Sequence, residues 1–154
     1  MHQTASGIVS HFGLSRCIGC GRCENVCPSG RNGGIHPLDV VETVINSEPS
    51  SDLSGLQEAV WKCLMCHRCS TACPRDIDVT GVIRSLRYDS ASSGTPPKRF
   101  KKASDTLISE GRAFPVNEAA NRKRAELGLE AITEDSGSAE ELNAIISRTG
   151  FCRE

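Results

Sequence analysis

The chain has 154 residues, a formal charge of −1 and 38% hydrophobic residues, with only four Phe, one Trp and one Tyr. That length supports one domain with at most a small appendage, and so lean a composition leaves a small apolar core. No apolar run approaches bilayer length and residues 1–16 lack the apolar stretch of a signal peptide, so a membrane-spanning or exported protein is excluded.

Taken in order, residues 1–10 read as a flexible N-terminus, and His11 leads towards a first cysteine cluster over 17–28. Residues 29–34, Ser-Gly-Arg-Asn-Gly-Gly, are a loop by composition. Pro37 suits the first turn of a helix, and Leu38, Val41, Val44 and Ile45 recur at helical spacing, which predicts a helix over 37–46. After the break at 48–51, Ser51 or Asp52 caps a second helix whose apolar face is Leu53, Leu56, Val60 and Trp61. It delivers the chain into a second cysteine cluster over 63–74. Asp78 then caps a third helix, with Val79, Val82, Ile83 and Leu86 on one face.

Residues 91–97, rich in Ser, Gly and Pro, read as a hinge. Beyond it, 98–110 is an amphipathic helix using Phe100, Leu107 and Ile108 and stopped at Gly111. A further helix spans 117–127, capped by Asn117 and ended before Gly128. Ser138-Ala139-Glu140-Glu141 has the form of a capping box opening a last helix to Arg148, closed near Gly150. The layout is therefore all-α: a core over 11–90, the hinge, and a helical extension over 98–154 for docking on the core or on a partner. Charge in the extension is polarised, +5 over residues 98–124 and −5 over 125–154, which suits docking.

The two cysteine clusters are the same motif. Cys17, Cys20, Cys23 and Cys27 are spaced x2, x2, x3 with Pro28 following, and Cys63, Cys66, Cys69 and Cys73 repeat that spacing before Pro74. This run holds a cubane [4Fe–4S] cluster, so two copies predict two clusters. A cubane needs a thiolate on each of four irons, and three cysteines two residues apart wrap three corners of one cube. The fourth, steered away by its proline, ligates the other cube in two-cluster proteins. The expected ligand sets are Cys17, Cys20, Cys23 and Cys73 for one cluster, and Cys63, Cys66, Cys69 and Cys27 for the other. Gly19 and Gly21 allow backbone N–H groups to approach cluster sulfurs, or the backbone to take positive φ. His67 and Arg68, inside the second loop, either raise that cluster's potential or point to solvent. Eight thiolates and two oxidised cores would bring the loaded chain to about −5.

A disulfide framework fits the regular spacing poorly, and a chain read as unexported, with thiols kept for metal, points to a reducing cytoplasm. Zinc is the closer rival, yet four-thiolate zinc sites use pairs of cysteines, whereas this chain has two matched quartets. Cys152 stands outside both motifs and reads as a non-ligand thiol. His2, His11 and His36 read as structural or exposed. The basic run at 98–102 lacks the aromatic residues and net charge of a nucleic-acid site. With no dinucleotide fingerprint, P-loop or nucleophile elbow, nothing in the chain binds a flavin or holds a substrate. It reads as a conductor without a reaction site.

Two such motifs joined by a long helical spacer resemble the α-helical ferredoxin fold found in the iron–sulfur subunits of succinate dehydrogenase and fumarate reductase. Those proteins carry an additional plant-type [2Fe–2S] domain, for which the residues before Cys17 leave no room. The stand-alone version is similar to the C subunit of heterodisulfide reductase. The likeness covers about residues 11–115, through both motifs, Arg75-Asp76-Ile77-Asp78-Val79 and the Lys-rich helix ending in Gly111-Arg112. It implies an electron relay between a flavin-bearing A subunit and a B subunit whose catalytic cluster lies in CCG motifs. This chain has no CCG motif. Two branches are open, heterodisulfide reduction as in methanogens and cytoplasmic sulfur oxidation, and residues 111–118 look somewhat more like the second. The alternatives are a free-standing soluble dicluster ferredoxin and a zinc-stabilised interaction module.

Overall fold

A computed structural model describes residues 4–51, 53–94, 96–114, 116–133 and 136–149. It divides into two compact units, Met1–Pro97 and Lys98–Glu154. The described residues form helices and turns, with no strand among them. None of these helices is long and apolar enough to cross a membrane. Cys152, the Gly150 stop and Asp52 as a cap lie outside the described residues.

The first unit begins with a correction. Residues 5–10, expected to be flexible, belong to α1 (Ala5–Phe12), capped by the Thr4 hydroxyl, which accepts from the Gly7 N–H at 3.3 Å. Gly13, at φ +61°, ends it in the left-handed region that glycine enters without strain. Ala5 and Ile8 are buried because α1 packs on α3 (Pro37–Asn46) and α6 (Val79–Ser92), both far along the chain. Burial against those partners supplies the order that the local sequence does not.

Helix α3 has the predicted bounds, with Pro37 in its first turn. Its buried face is rotated, however: Pro37, Val40, Val41 and Val44 are inside, while Ile45 is exposed. The second expected helix is cut short to a 3-10 turn at Ser54–Leu56 running into α4 (Gln57–Val60). Ser54 and Gly55 are weak helix formers, and no side chain caps this segment. Asp78 caps α6, accepting from the Gly81 N–H at 2.9 Å, and all four predicted apolar positions are buried. The helix runs on through Ser92, past the expected start of the hinge. The core joins Ile8, Leu14, Ile35, the α3 valines, Val60, Ile77 and the α6 face to Cys27 and Cys69.

The second unit contains α7 (Lys98–Glu110), α8 (Glu118–Glu126) and α9 (Ser136–Thr149). Asn117 caps α8 through the Ala120 N–H at 2.8 Å. Helix α9 starts two residues before the expected capping box, so Ser138 lies inside its first turn. Helix α7 packs on α9, where the Asn143 side chain donates to the Ile108 carbonyl at 3.2 Å. Gly111, at φ +69°, is required there: a Cβ would sit 2.8 Å from the Ala139 nitrogen. No residue of α7 or α8 is buried.

Candidate metal centre

The two cysteine motifs fold into matching loops. Gly19 and Gly21 have φ of +64° and +70°, and Met65 and His67, at the same places in the second motif, have +52° and +60°. Each loop then enters a four-residue helix carrying the third cysteine, α2 (Arg22–Asn25) or α5 (Arg68–Thr71), and these two helices pack together. Glycine holds the left-handed conformation freely, whereas a residue with a Cβ pays about 1 kcal/mol or more. Replacing His67 with glycine is therefore expected to keep the metal content unchanged and to raise the melting temperature of the loaded protein by a few degrees, equivalent to about 1 kcal/mol. Iron analysis and thermal melting check this; a fall in iron would mean that the loop requires the imidazole.

Cys17, Cys20 and Cys23 share one cavity with Cys73, which arrives from the end of the other loop. Leu38, Val41, Ile77 and Val79 give the cavity an apolar wall, and Arg22 and Arg75 complete it. In the second motif Cys69 is buried, Cys63 is half-buried and Cys66 is exposed, while Cys27 of the first motif is buried. The Cys63 sulfur lies within electrostatic reach of Cys69 and Cys27. All eight of these cysteines are free thiols. One cysteine per loop, Cys20 or Cys66, faces solvent, beside an apolar neighbour, Ile18 or Leu64, that is 63% or 65% exposed.

Burial pushes the Cys23 thiol up to about 11, helped by the nearby sulfurs of Cys69 and Cys17 and opposed by the Glu24 N–H. Cys63 is raised for the same first reason, with the Met65 N–H and Arg87 opposing. Burial thus disfavours the thiolate form of these two side chains, which a positive charge beside them, such as iron, would restore. Met65 donates its N–H to the Cys63 sulfur and Gly30 to the Cys27 sulfur, each at 3.3 Å. Of the two roles expected for Gly19 and Gly21, positive φ is the one observed. The His67 and Arg68 side chains are both exposed.

Other side chains fasten the loops together, and sequence reasoning passed over them. Ser29, directly after Pro28 and buried, donates its hydroxyl to the Lys62 carbonyl at 2.7 Å and accepts from the Ile35 N–H at 3.2 Å. Gly34 approaches Ser29 so closely that a Cβ would fall 2.8 Å from the Ser29 carbonyl oxygen. At the second loop, Ser70 donates to Asp78 at 2.8 Å and accepts from the Thr80 N–H at 2.9 Å, locking α5 to the start of α6. Glu24 of α2 pairs with His36 and accepts from the Leu38 N–H, tying the first loop to α3. Arg87 donates to the Val60 and Cys63 carbonyls. Of these side chains the sequence marked only Asp78, as the cap of α6. The partners of Arg87 are 27 and 24 residues away, beyond the range of any local pattern.

The donor chemistry fits an iron–sulfur cluster: soft sulfur ligands, an apolar wall, and backbone N–H groups aimed at sulfur. Among the described residues no three Cys, His, Asp or Glu side chains converge on a point where a single ion would sit. The cavity is lined instead by four cysteines drawn from both loops, the number of thiolates that a cubane's four irons require.

A family described as a 4Fe-4S dicluster domain matches residues 13–77. The chain is 31% identical over 139 residues to the C subunit of the ferredoxin:CoB-CoM heterodisulfide reductase of Methanosarcina mazei, covering 88% of this chain and 84% of the relative. It is 32% identical to the C subunit of the ferredoxin/F(420)H(2)-dependent CoB-CoM heterodisulfide reductase of Methanosarcina acetivorans, covering 79% and 73%. It is 33% identical to the C2 subunit of the H(2)/formate:CoB-CoM heterodisulfide,ferredoxin reductase of Methanococcus maripaludis, covering 75% of this chain and 61% of that one.

Proposed function

Since the chain belongs to the family of heterodisulfide reductase C subunits, we propose that it relays electrons between a flavin-bearing A subunit and a CCG-motif B subunit of a heterodisulfide-reductase-type complex in the cytoplasm. It is an iron–sulfur electron-transfer subunit with two [4Fe–4S] clusters. The relay serves heterodisulfide reduction or, run the other way, sulfur oxidation, because the chain itself handles neither substrate.

Cys17, Cys20, Cys23 and Cys73 hold one cluster, and Cys63, Cys66, Cys69 and Cys27 the other. The observation that carries this reading is the cavity that draws its cysteines from both loops. When bound, such clusters supply reversible one-electron storage. The chain's own part is to keep the two sites adjacent, through α2 against α5, and to exclude water from the buried side with Leu38, Val41, Ile77 and Val79. The exposed Cys20 and Cys66 give each site one open side for exchange with a partner. The extension over 98–154, with no buried residue in α7 or α8, serves docking.

Anaerobic purification with its neighbours tests the proposal. The expected result is a brown protein with about eight irons and eight sulfides that brings down a flavoprotein and a CCG-motif protein. A colourless protein with stoichiometric zinc rejects the clusters, and a loaded monomer that captures no CCG-motif protein makes it a free ferredoxin.

A further inference from the structure

Arg87 is a half-buried cation of the first unit, and the local sequence gives no reason for it. It sits on α6 among Ile83, Leu86 and Ser90, which are all buried. Its Nε donates to the Val60 carbonyl at 2.8 Å and its Nη2 to the Cys63 carbonyl. The guanidinium lies over the Trp61 ring at 5.1 Å, and Trp61 is itself anchored by donating to the Ser90 hydroxyl at 3.1 Å. Among the described residues Arg87 makes no ion pair with a carboxylate. The ionisable group whose field it feels is the Cys63 sulfur.

Burying a cation is costly without a counter-charge, and two neutral carbonyls and a ring face compensate it only in part. A cluster gains one negative charge on reduction, so a fixed cation at its edge favours the reduced form, most strongly where water is excluded. The first loop has no counterpart: Arg16, Arg22 and Arg75 around it are exposed, where solvent screens them.

We propose that Arg87 sets the reduction potential of the cluster bound through Cys63, holding that cluster easier to reduce than its ligands alone would make it. The proposal rests on the ligand sets given above. Arg87 acts through space and through the Cys63 backbone; it is a positioning residue for charge, and no electron passes by way of it.

The test is a redox titration of the loaded full chain, followed by EPR, for Arg87→Gln and Arg87→Lys. Glutamine still donates a hydrogen bond to a carbonyl but carries no charge. With Arg87→Gln, one of two one-electron steps is expected to move down, so that at fixed poise the reduced-to-oxidised ratio of that cluster falls about tenfold, or about 59 mV for one electron. That step should be the one altered by Cys66→Ser, and the other should stay. Arg87→Lys, which keeps the charge, should move neither. Both variants titrating like the parent overturns the proposal while leaving the clusters in place. A lysine variant shifted as far as the glutamine one also overturns it, because hydrogen bonding would then be the cause. If Arg87→Gln assembles no cluster, the lysine variant decides alone, its potential expected within about twofold of the parent's ratio. A parent chain without iron would instead sink the ligand sets.

Discussion

Replacing Cys73 with serine is expected to empty the site built by Cys17, Cys20 and Cys23 and to spare the loop in which Cys73 lies. Cys73 lines the same cavity as the first three cysteines of the other motif. A hydroxyl is a poor substitute for a thiolate on iron, and a site left with three sulfur ligands loses iron readily. Iron should fall from about eight towards about four per chain, and the EPR signal that changes should be the one that changes in Cys20→Ser. The reciprocal variant, Cys27→Ser, should share its signature with Cys66→Ser. Were Cys73→Ser to match Cys66→Ser instead, each loop would serve its own cluster and the crossed sets would be wrong.

Removing the iron should unfold the first unit. Cys27 and Cys69 belong to the hydrophobic core, and Cys17, Cys23, Cys63 and Cys73 pack against it, so six of the eight proposed ligands belong to the core or its edge. Without iron, α2 and α5 are left as four-residue helices, far below the length that sustains itself in water. Anaerobic chelation is expected to abolish a large part of the far-UV helical signal and the cooperative melt, and to expose residues 4–94 to protease. An iron-free chain with an unchanged melt would mean that packing alone suffices.

What could be read in advance was local. The α3 bounds follow from Pro37 and its valines, the Asp78 and Asn117 caps from their chemistry, and the α6 face from its period. What failed depended on distant partners. Periodicity placed a stripe on α3 but not its rotation, which is set by α1 and α6 and brings Val40 in and leaves Ile45 out. Residues 5–12 looked featureless because the helix they form is stabilised by segments far along the chain. At the site, the cysteines announced themselves by spacing alone. Ser29, Ser70 with Thr80, and Arg87 did not, because what they fasten is backbone brought near only by the fold.

The seat of α1 on α6 has a consequence for biosynthesis. A ribosome releases Ala5–Phe12 first and Val79–Ser92 last among the pieces of this unit. The nascent chain therefore exposes three early cysteines for as long as it takes to translate their closing partner. On the ligand sets proposed above, iron and sulfide are enclosed at Cys17, Cys20 and Cys23 only once Cys73 has been made.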